Sequence, residues 1–384
     1  MWHIDRILVA LLILLEIVYS AGAKRKHNVY CKNNNAEDVD WYVIYKLPKT
    51  KEIKHPPSYY INPKGDEIAY FDSDMAKNKK TPLWRESKPG IYDIHNPVAY
   101  TLMPLFAKTQ PKDIAYVTYN DQVPEGFHGT RGGHSKGVLM VGHSTSVWLQ
   151  HSVPRFPEML HEGIYIYPPS GRENAQLFLC LTVPTMTMVE VIAYHLRVQY
   201  ANVYQRHFAW IREDNYPQLF MLLNYIYVTG STSLANHTMI TERKQLIQSI
   251  AKRSIWKHDI YRDIVAPYMV KGDLLVESWR NGAGGTVDKS CAYYSVIDVK
   301  TVRIQFESGM YTVFNYTEDH SKWAVAAYKP FFCFSSLNRM MSQFNRGGEV
   351  TCMQNKNLAD LFRNSIVDED ACTSSKGKQK SRKS

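Results

Sequence analysis

Gly133-His134-Ser135-Lys136-Gly137-Val138-Leu139-Met140-Val141 and, far downstream, Glu318-Asp319-His320-Ser321-Lys322-Trp323-Ala324-Val325-Ala326 decide the reading of this chain. Each stretch places an imidazole and an ammonium two residues apart at the head of an apolar run. In an extended strand, residues i and i+2 point to the same face. A His-x-Lys pair therefore presents one titratable nitrogen and one fixed positive charge to a single anion. Two such pairs facing each other would surround a phosphodiester. One imidazole would attack phosphorus or activate the attack, the other would protonate the leaving oxygen, and the lysines would stabilise the transition-state charge. Spacing alone is weak evidence: with 14 histidines in the chain, about one His-x-Lys arises by chance, and two solvated surface pairs are the plain alternative.

Around the first motif the sequence is strand-like. Val39–Pro48, a segment near Ala69–Phe71, Ile114–Tyr119, His134–Val141, Ser146–His151 and Leu177–Val183 are rich in β-branched and aromatic residues. Residues 49–90 read as a loop-rich excursion, and Thr187 to Tyr204 carries the spacing of an amphipathic helix. The second half repeats the style. Strands are expected at Asp273–Trp279, Val296–Phe306, Trp323–Tyr328 and Phe331–Leu337, a flexible turn at Asn281–Gly285, and helices at Thr241–Ile250 and near Ala359–Asn364. The fold class expected is α/β (α+β): two similar halves, 24–205 and 206–372, each a mixed sheet flanked by helices, meeting at one shared site. No internal repeat is visible by sequence identity.

The chain of 384 residues is 45% hydrophobic, enough for a large core. Its formal net charge of +10 favours an anionic partner such as nucleic acid, a membrane surface or a polyanionic glycan. Residues 1–23 read as a signal peptide: His3 and Arg6 precede the apolar run Ile7–Leu15, and Ala21-Gly22-Ala23 is a small-residue cleavage site. The alternative is an uncleaved anchor. Six cysteines beyond that site suggest three disulfides in an exported chain, and spacing leaves all 15 pairings open. No C-x-x-C occurs, which argues against a zinc ribbon or a thioredoxin-like site. Asn236-His-Thr238 and Asn315-Tyr-Thr317 are glycosylation sequons. The tail 373–384 has no apolar residue and is expected to be disordered.

Five blocks, in order, carry a family resemblance: Val39-Asp-Trp-Tyr-Val-Ile-Tyr-Lys-Leu-Pro48, Gly133–Leu139, Trp148-Leu-Gln-His-Ser-Val-Pro-Arg-Phe-Pro157, Thr317–Trp323 and Arg346-Gly-Gly348. They span nearly all of the mature chain, which resembles the deoxyribonuclease II family. The resemblance implies an acid endonuclease, lysosomal or secreted after signal-peptide cleavage. It implies no divalent metal or other cofactor, 3′-phosphate and 5′-hydroxyl products, and a phospholipase D-like fold of two pseudo-equivalent halves. It carries catalytic roles onto His134, Lys136, His320 and Lys322, and matches His151 to a further histidine needed for activity or for the local fold. It implies the disulfides Cys31–Cys180, Cys291–Cys372 and Cys333–Cys352. The chain departs from the wider superfamily in one respect: where an Asp is expected five residues after each motif Lys, Val141 and Ala327 stand. A supporting acid must come from elsewhere, with Glu318 and Asp319 as candidates beside the plain alternative of solvated loop acids.

Arg131 and Arg346 sit in Gly-rich turns and are candidate phosphate grips, against the alternative of solvated loop cations. His151 follows Trp148 and Leu149, so a buried structural histidine is its alternative. The expected partner is DNA, held mainly through its phosphates, with no membrane in the mature form and a homodimer left open. The competing readings are a phospholipase D-like phosphodiesterase and a secreted DNA-binding or interaction protein of the same fold.

Overall fold

Two sheets, one from each half of the sequence, set the positions of both motifs. The computed structural model describes residues 28–78, 80–128, 132–158, 163–282, 284–291 and 293–372. The segment read as a signal peptide, the tail expected to be disordered and Arg131 lie outside the described residues.

The first sheet contains β1 (Trp41–Lys46), β2 (Ile68–Asp72), β3 (Arg85–Ser87), β4 (Ala115–Asn120), β5 (Lys136–Val141), β6 (Thr145–His151), β7 (Gln176–Pro184) and β8 (Val203–His207), in the order β8-β4-β5-β6-β7-β1-β2-β3. Every neighbouring pair is antiparallel, so this sheet is not mixed as expected. Tight connections such as the β5–β6 turn suffice for antiparallel pairing, whereas parallel pairs need a crossover. The second sheet contains β9 (Leu234–Ile240), β10 (Leu246–Lys252), β11 (Leu274–Ser278), β12 (Ser290–Cys291), β13 (Ser295–Gln305), β14 (Tyr311–Asn315), β15 (Lys322–Ala326), β16 (Phe331–Ser335), β17 (Gly348–Gln354) and β18 (Ile366–Glu369). Its main order is β9-β10-β17-β16-β15-β11-β13-β12, with β14 and β18 paired to β13. Only β11 and β13 run parallel. The runs β4-β5-β6-β7-β1 and β11-β15-β16-β17-β10 share one antiparallel pattern, and each His-x-Lys opens the second strand of its run.

The largest core lies between the sheets. Trp41, Tyr45, Leu139, Trp148 and Leu179 meet Ile247, Trp323, Val325 and Phe332, together with α2 (Thr185–Val198) and α4 (Lys356–Asn364). Full burial of each such side chain contributes about 1.5–3 kcal/mol. The outer face of the first sheet packs on α1 (Pro97–Phe106), and that of the second on the π-helical segment Tyr261–Val270. Asn96 caps α1 by accepting from the N–H groups of Val98 and Ala99. With α3 (Pro217–Leu223), the described residues form four α-helices beside the π-helical segment, and a few short 3-10 turns. Among the described residues, no helix is long and apolar enough to cross a membrane.

Two expectations fail locally. Thr241–Ile250 is a turn followed by β10, not a helix. Lys244 has φ 69°, and Thr241 Oγ bonds Asp40 at 2.5 Å and accepts from the Gln245 N–H. Because β10 is paired on both edges and sends Ile247 into one core and Ile250 into another, its sequence lost the alternation that marks a strand. The expected helix to Tyr204 stops at Val198; Tyr200, at φ 59°, turns the chain into β8.

The disulfides are Cys31–Cys180, Cys291–Cys372 and Cys333–Cys352. They tie the leading segment to β7, the segment after β18 to β12, and β16 to β17.

Candidate active site

The two motifs meet through reciprocal hydrogen bonds between the sheets. The His134 N–H donates to the Gly347 carbonyl at 2.7 Å, ahead of β17; the His320 N–H donates to the Ala175 carbonyl at 2.9 Å, ahead of β7. The imidazoles follow the same rule. His134 Nδ1 lies 2.6 Å from the Ser336 carbonyl, and His320 Nδ1 lies 3.0 Å from the Ser152 carbonyl. A carbonyl can only accept, so each Nδ1 carries the hydrogen and each Nε2 keeps its lone pair. Each ring is thus oriented by a carbonyl that follows the third strand of the opposite run. Gly133 has to be glycine for this approach, since a Cβ there would stand 2.1 Å from the Gln199 carbonyl oxygen.

Lys136 and Lys322 are the first residues of β5 and β15, and both are buried. The Lys136 ammonium pairs with Asp121, whose carboxylate also lies 3.8 Å from His134 Nε2 and 3.3 Å from Arg346. The Lys322 ammonium bonds the His320 carbonyl, and among the described residues no carboxylate forms an ion pair with it. Trp279 sets its ring edge-on to His320, with centroids 5.5 Å apart.

Burial pushes His134 down from its ordinary value to about 3; Asp121 opposes the shift, and Lys136, Arg346 and Lys322 add to it. His320 is held well below the usual imidazole range by burial, then by Lys322, Lys136 and His134. Burial and Lys136 likewise depress Lys322. Asp121 is itself depressed: burial raises it, but Lys136 and His134 outweigh that. These mutual influences place all four motif side chains in one electrostatic cluster.

His151 ends β6 and is buried between Phe156 and Phe178. Its Nδ1 accepts the Val153 N–H at 3.2 Å, and its Nε2 has no hydrogen-bond partner. Burial and Lys136 hold it neutral. Arg346 belongs to the cluster through Asp121. Asn236 and Asn315 are exposed, and Asn315 also caps the turn Tyr316–Glu318.

Of the two expected acids, Glu318 spends its carboxylate on the Asn315 N–H, whereas Asp319 is buried, accepts from Tyr45 Oη and the Ser321 N–H, and acts on Lys322 through its charge. A further acid at the site is Asp121, far from the motif spacing in sequence but one residue beyond Asn120, which pairs with Lys136. Only strand register reveals it, as it does Trp279. Glu277 was missed as well: it is buried with neither carboxyl oxygen hydrogen-bonded, and burial and Asp319 push it well above the usual carboxyl range. Among the described residues, no group of three or more His, Cys, Asp or Glu is placed to hold a metal ion.

The family model for Deoxyribonuclease II matches residues 30–372, nearly the whole described chain. The chain belongs to the deoxyribonuclease II family. This family member is 31% identical over 350 residues to Plancitoxin-1 of Acanthaster planci, covering 90% of this chain and 93% of the relative. Deoxyribonuclease-2-alpha of Mus musculus is 29% identical, with 89% and 93% covered. Cell-death-related nuclease 7 of Caenorhabditis elegans is 28% identical, with 94% and 92% covered. As a deoxyribonuclease II family enzyme, the chain unites both motifs in a single cluster.

Proposed function

We propose that this chain is an acid endodeoxyribonuclease that hydrolyses DNA phosphodiesters without divalent metal, leaving 3′-phosphate and 5′-hydroxyl ends. The carrying observation is the reciprocal set of bonds that holds both rings by Nδ1, leaving one Nε2 lone pair from each motif under the influence of the same two ammonium groups. Two imidazoles supply a nucleophile and a proton donor; Lys136 and Lys322 supply the charge that a metal would otherwise bring. His134, Lys136, His320 and Lys322 are the catalytic set. His151, which feels the Lys136 charge, is the further histidine needed for activity or for the local fold, and Arg346, with Arg131, grips phosphate. Contacts of this kind read the backbone and give slight sequence preference.

The acid optimum follows from the site's charges. Turnover needs one imidazole neutral and one protonated. Burial and the ammonium groups hold both below their ordinary value, so the singly protonated state forms only as pH falls; bound DNA phosphate then favours it.

The two sheets act as pseudo-equivalent, phospholipase D-like halves sharing this site, divided after β8 (Val203–His207), which pairs with β4, rather than at the expected 205/206. Export through the signal peptide, delivery to lysosomes or the medium, and glycans on Asn236 and Asn315 fit the disulfide-bonded chain. DNA from dying or engulfed cells is the fitting substrate, in keeping with a relative named a cell-death-related nuclease.

The test is end-group analysis of duplex DNA cut at about pH 5 in excess EDTA. Fragments that accept phosphate from a 5′-kinase directly and need phosphatase before 3′ extension support the reading. The opposite ends, or no cleavage by the folded protein, contradict it.

A further inference from the structure

Two tyrosines near the first motif hold a backbone conformation that bulky residues rarely adopt. Tyr200, in the turn after α2, has φ 59°, and so does Tyr225, just past α3. The Tyr200 carbonyl accepts the N–H of Gly133, directly ahead of His134, at 2.6 Å. A Cβ on Gly132 would stand 2.4 Å from the same carbonyl oxygen. The turn is therefore locked to the segment that carries the first motif. Strain of this kind persists only where the surrounding structure fixes it, and it gathers at functional surfaces.

Each strained tyrosine is paired with an arginine. The Tyr200 ring stacks on Tyr227, with centroids 4.9 Å and planes 15° apart, and the Arg253 guanidinium lies 5.6 Å from the Tyr200 centroid. The Arg206 guanidinium lies 3.9 Å from the Tyr225 centroid and 5.6 Å from that of Phe208. Tyr225, Arg206 and Tyr200 all act electrostatically on Tyr227, so the two pairs are neighbours. Arg253 is held by the Gly230 and Thr232 carbonyls rather than by a carboxylate, and among the described residues Arg206 Nη1 has no hydrogen-bond partner. Tyr225 is 44% exposed, so its ring is open to a ligand. The ends of α2, α3 and β10, together with β8, thus bring a row of aromatic rings and two guanidinium groups to one surface.

We propose that this surface is a stacking platform for unpaired bases of a DNA strand that runs past the first motif. The inference rests on the DNA-cleaving reading above for the identity of the polymer, and goes beyond its chemistry. Every base has a π-face, so exposed tyrosine rings take single-stranded DNA with little regard to sequence, and guanidinium groups beside them hold its phosphates. An acidic protein segment would satisfy the arginines and leave the rings unused. Intact duplex keeps its bases stacked on one another and offers the surface phosphates alone. The platform therefore favours single strands, gaps and frayed ends, with Tyr225 and Arg253 as specificity-determining residues.

The experiment is fluorescence-anisotropy binding by the full-length protein in EDTA at neutral pH. Three dye-labelled probes are compared: a single strand, the same strand in a duplex, and the same strand with base-free sugars at its centre. Wild type should bind the single strand about tenfold more tightly than the base-free strand. Tyr225→Leu should weaken single-strand binding by about tenfold, change duplex binding by less than about twofold, and abolish the preference for the strand that carries bases. Tyr225→Trp, which keeps a ring, should restore that preference. Equal loss on all three probes would make the surface a phosphate contact only and overturns the proposal. So does wild-type binding that is indifferent to the missing bases.

A second measurement does not depend on Tyr225. Arg253→Gln should reduce the salt slope of single-strand binding by about one unit. An unchanged slope overturns the role of Arg253. Cleavage at acid pH separates this inference from the reading it rests on. Wild type that binds the probes as expected but cuts no DNA keeps the platform and loses the nuclease chemistry. Wild type that cuts single strands and duplex, with both rates unchanged in Tyr225→Leu and Arg253→Gln, keeps the chemistry and loses the platform.

Discussion

His134 and His320 are held by one backbone scheme carried out twice, and the charges laid over it differ. The main-chain N–H of each motif histidine reaches a carbonyl just ahead of a strand in the opposite sheet. Each ring donates to a carbonyl of Ser336 or Ser152, and the oxygens of those serines in turn accept from the Glu349 and Leu177 N–H groups. At corresponding places the side chains then diverge. Asp121 stands where the second half has Trp279, Tyr119 where it has Glu277, and Leu177 where it has Glu349. The first half thus keeps its carboxylate at the site, and the second keeps its carboxyls in the interior. Orientation is duplicated, whereas protonation is set separately on each side.

The comparison breaks first at the histidines. Each of His134→Ala and His320→Ala should reduce DNA cleavage by about a thousandfold or more, and the double variant should be no worse than the weaker single, since residues acting as a unit are not additive. Two independent, additive losses in steady-state kinetics would mean two separate sites. Next come the lysines. Lys136→Met and Lys322→Met should each lower kcat by about a hundredfold or more with little change in KM, as expected where charge is stabilised in the transition state. An effect confined to KM would make them binding groups.

Salt separates site chemistry from general attraction. Arg346→Gln should weaken DNA binding and reduce the salt slope by about one unit, and leave the product ends unchanged. The smallest effect concerns Glu349, which burial raises to about 7 while Gln199 holds one of its oxygens. A carboxyl raised on folding adds stability below its unfolded pKa near 4.5, and loses it as pH rises through about 7. Glu349→Gln should therefore stabilise the protein by about 1–3 kcal/mol at pH 8 and hardly at all at pH 4, as read by denaturant melts. His134 has the opposite slope: depressed to about 3, it costs stability as pH falls from about 6.5 toward 3.

Most of the strands were legible because β-branched and aromatic runs end at clear punctuation, as Val39–Pro48 does at Pro48. Both motifs were legible because the i, i+2 relation is local. β10 was not, because a strand paired on both edges that sends apolar side chains such as Ile247 and Ile250 into cores on opposite faces loses its alternation. Asp121 and Trp279 were not, because what brings them to the histidines is the pairing of β4 with β5 and of β11 with β15, a relation between segments rather than within one. The carbonyls of Ser152 and Ser336 were illegible for a simpler reason: every residue has one, and only the fold selects these two. Glu318 was close in sequence, but a local turn bond had already claimed it; Asp319, also close, is buried and acts on Lys322 through its charge.

The most direct measurement is plasmid cleavage in excess EDTA from pH 4 to 8 by the wild type, His134→Ala, His320→Ala and Lys322→Met, each checked for folding and intact disulfides. A single bell-shaped profile centred below neutrality, abolished by either histidine change, is the result predicted. Cleavage that persists in either histidine variant, or a profile that peaks at or above neutrality, would contradict one shared site built from both motifs.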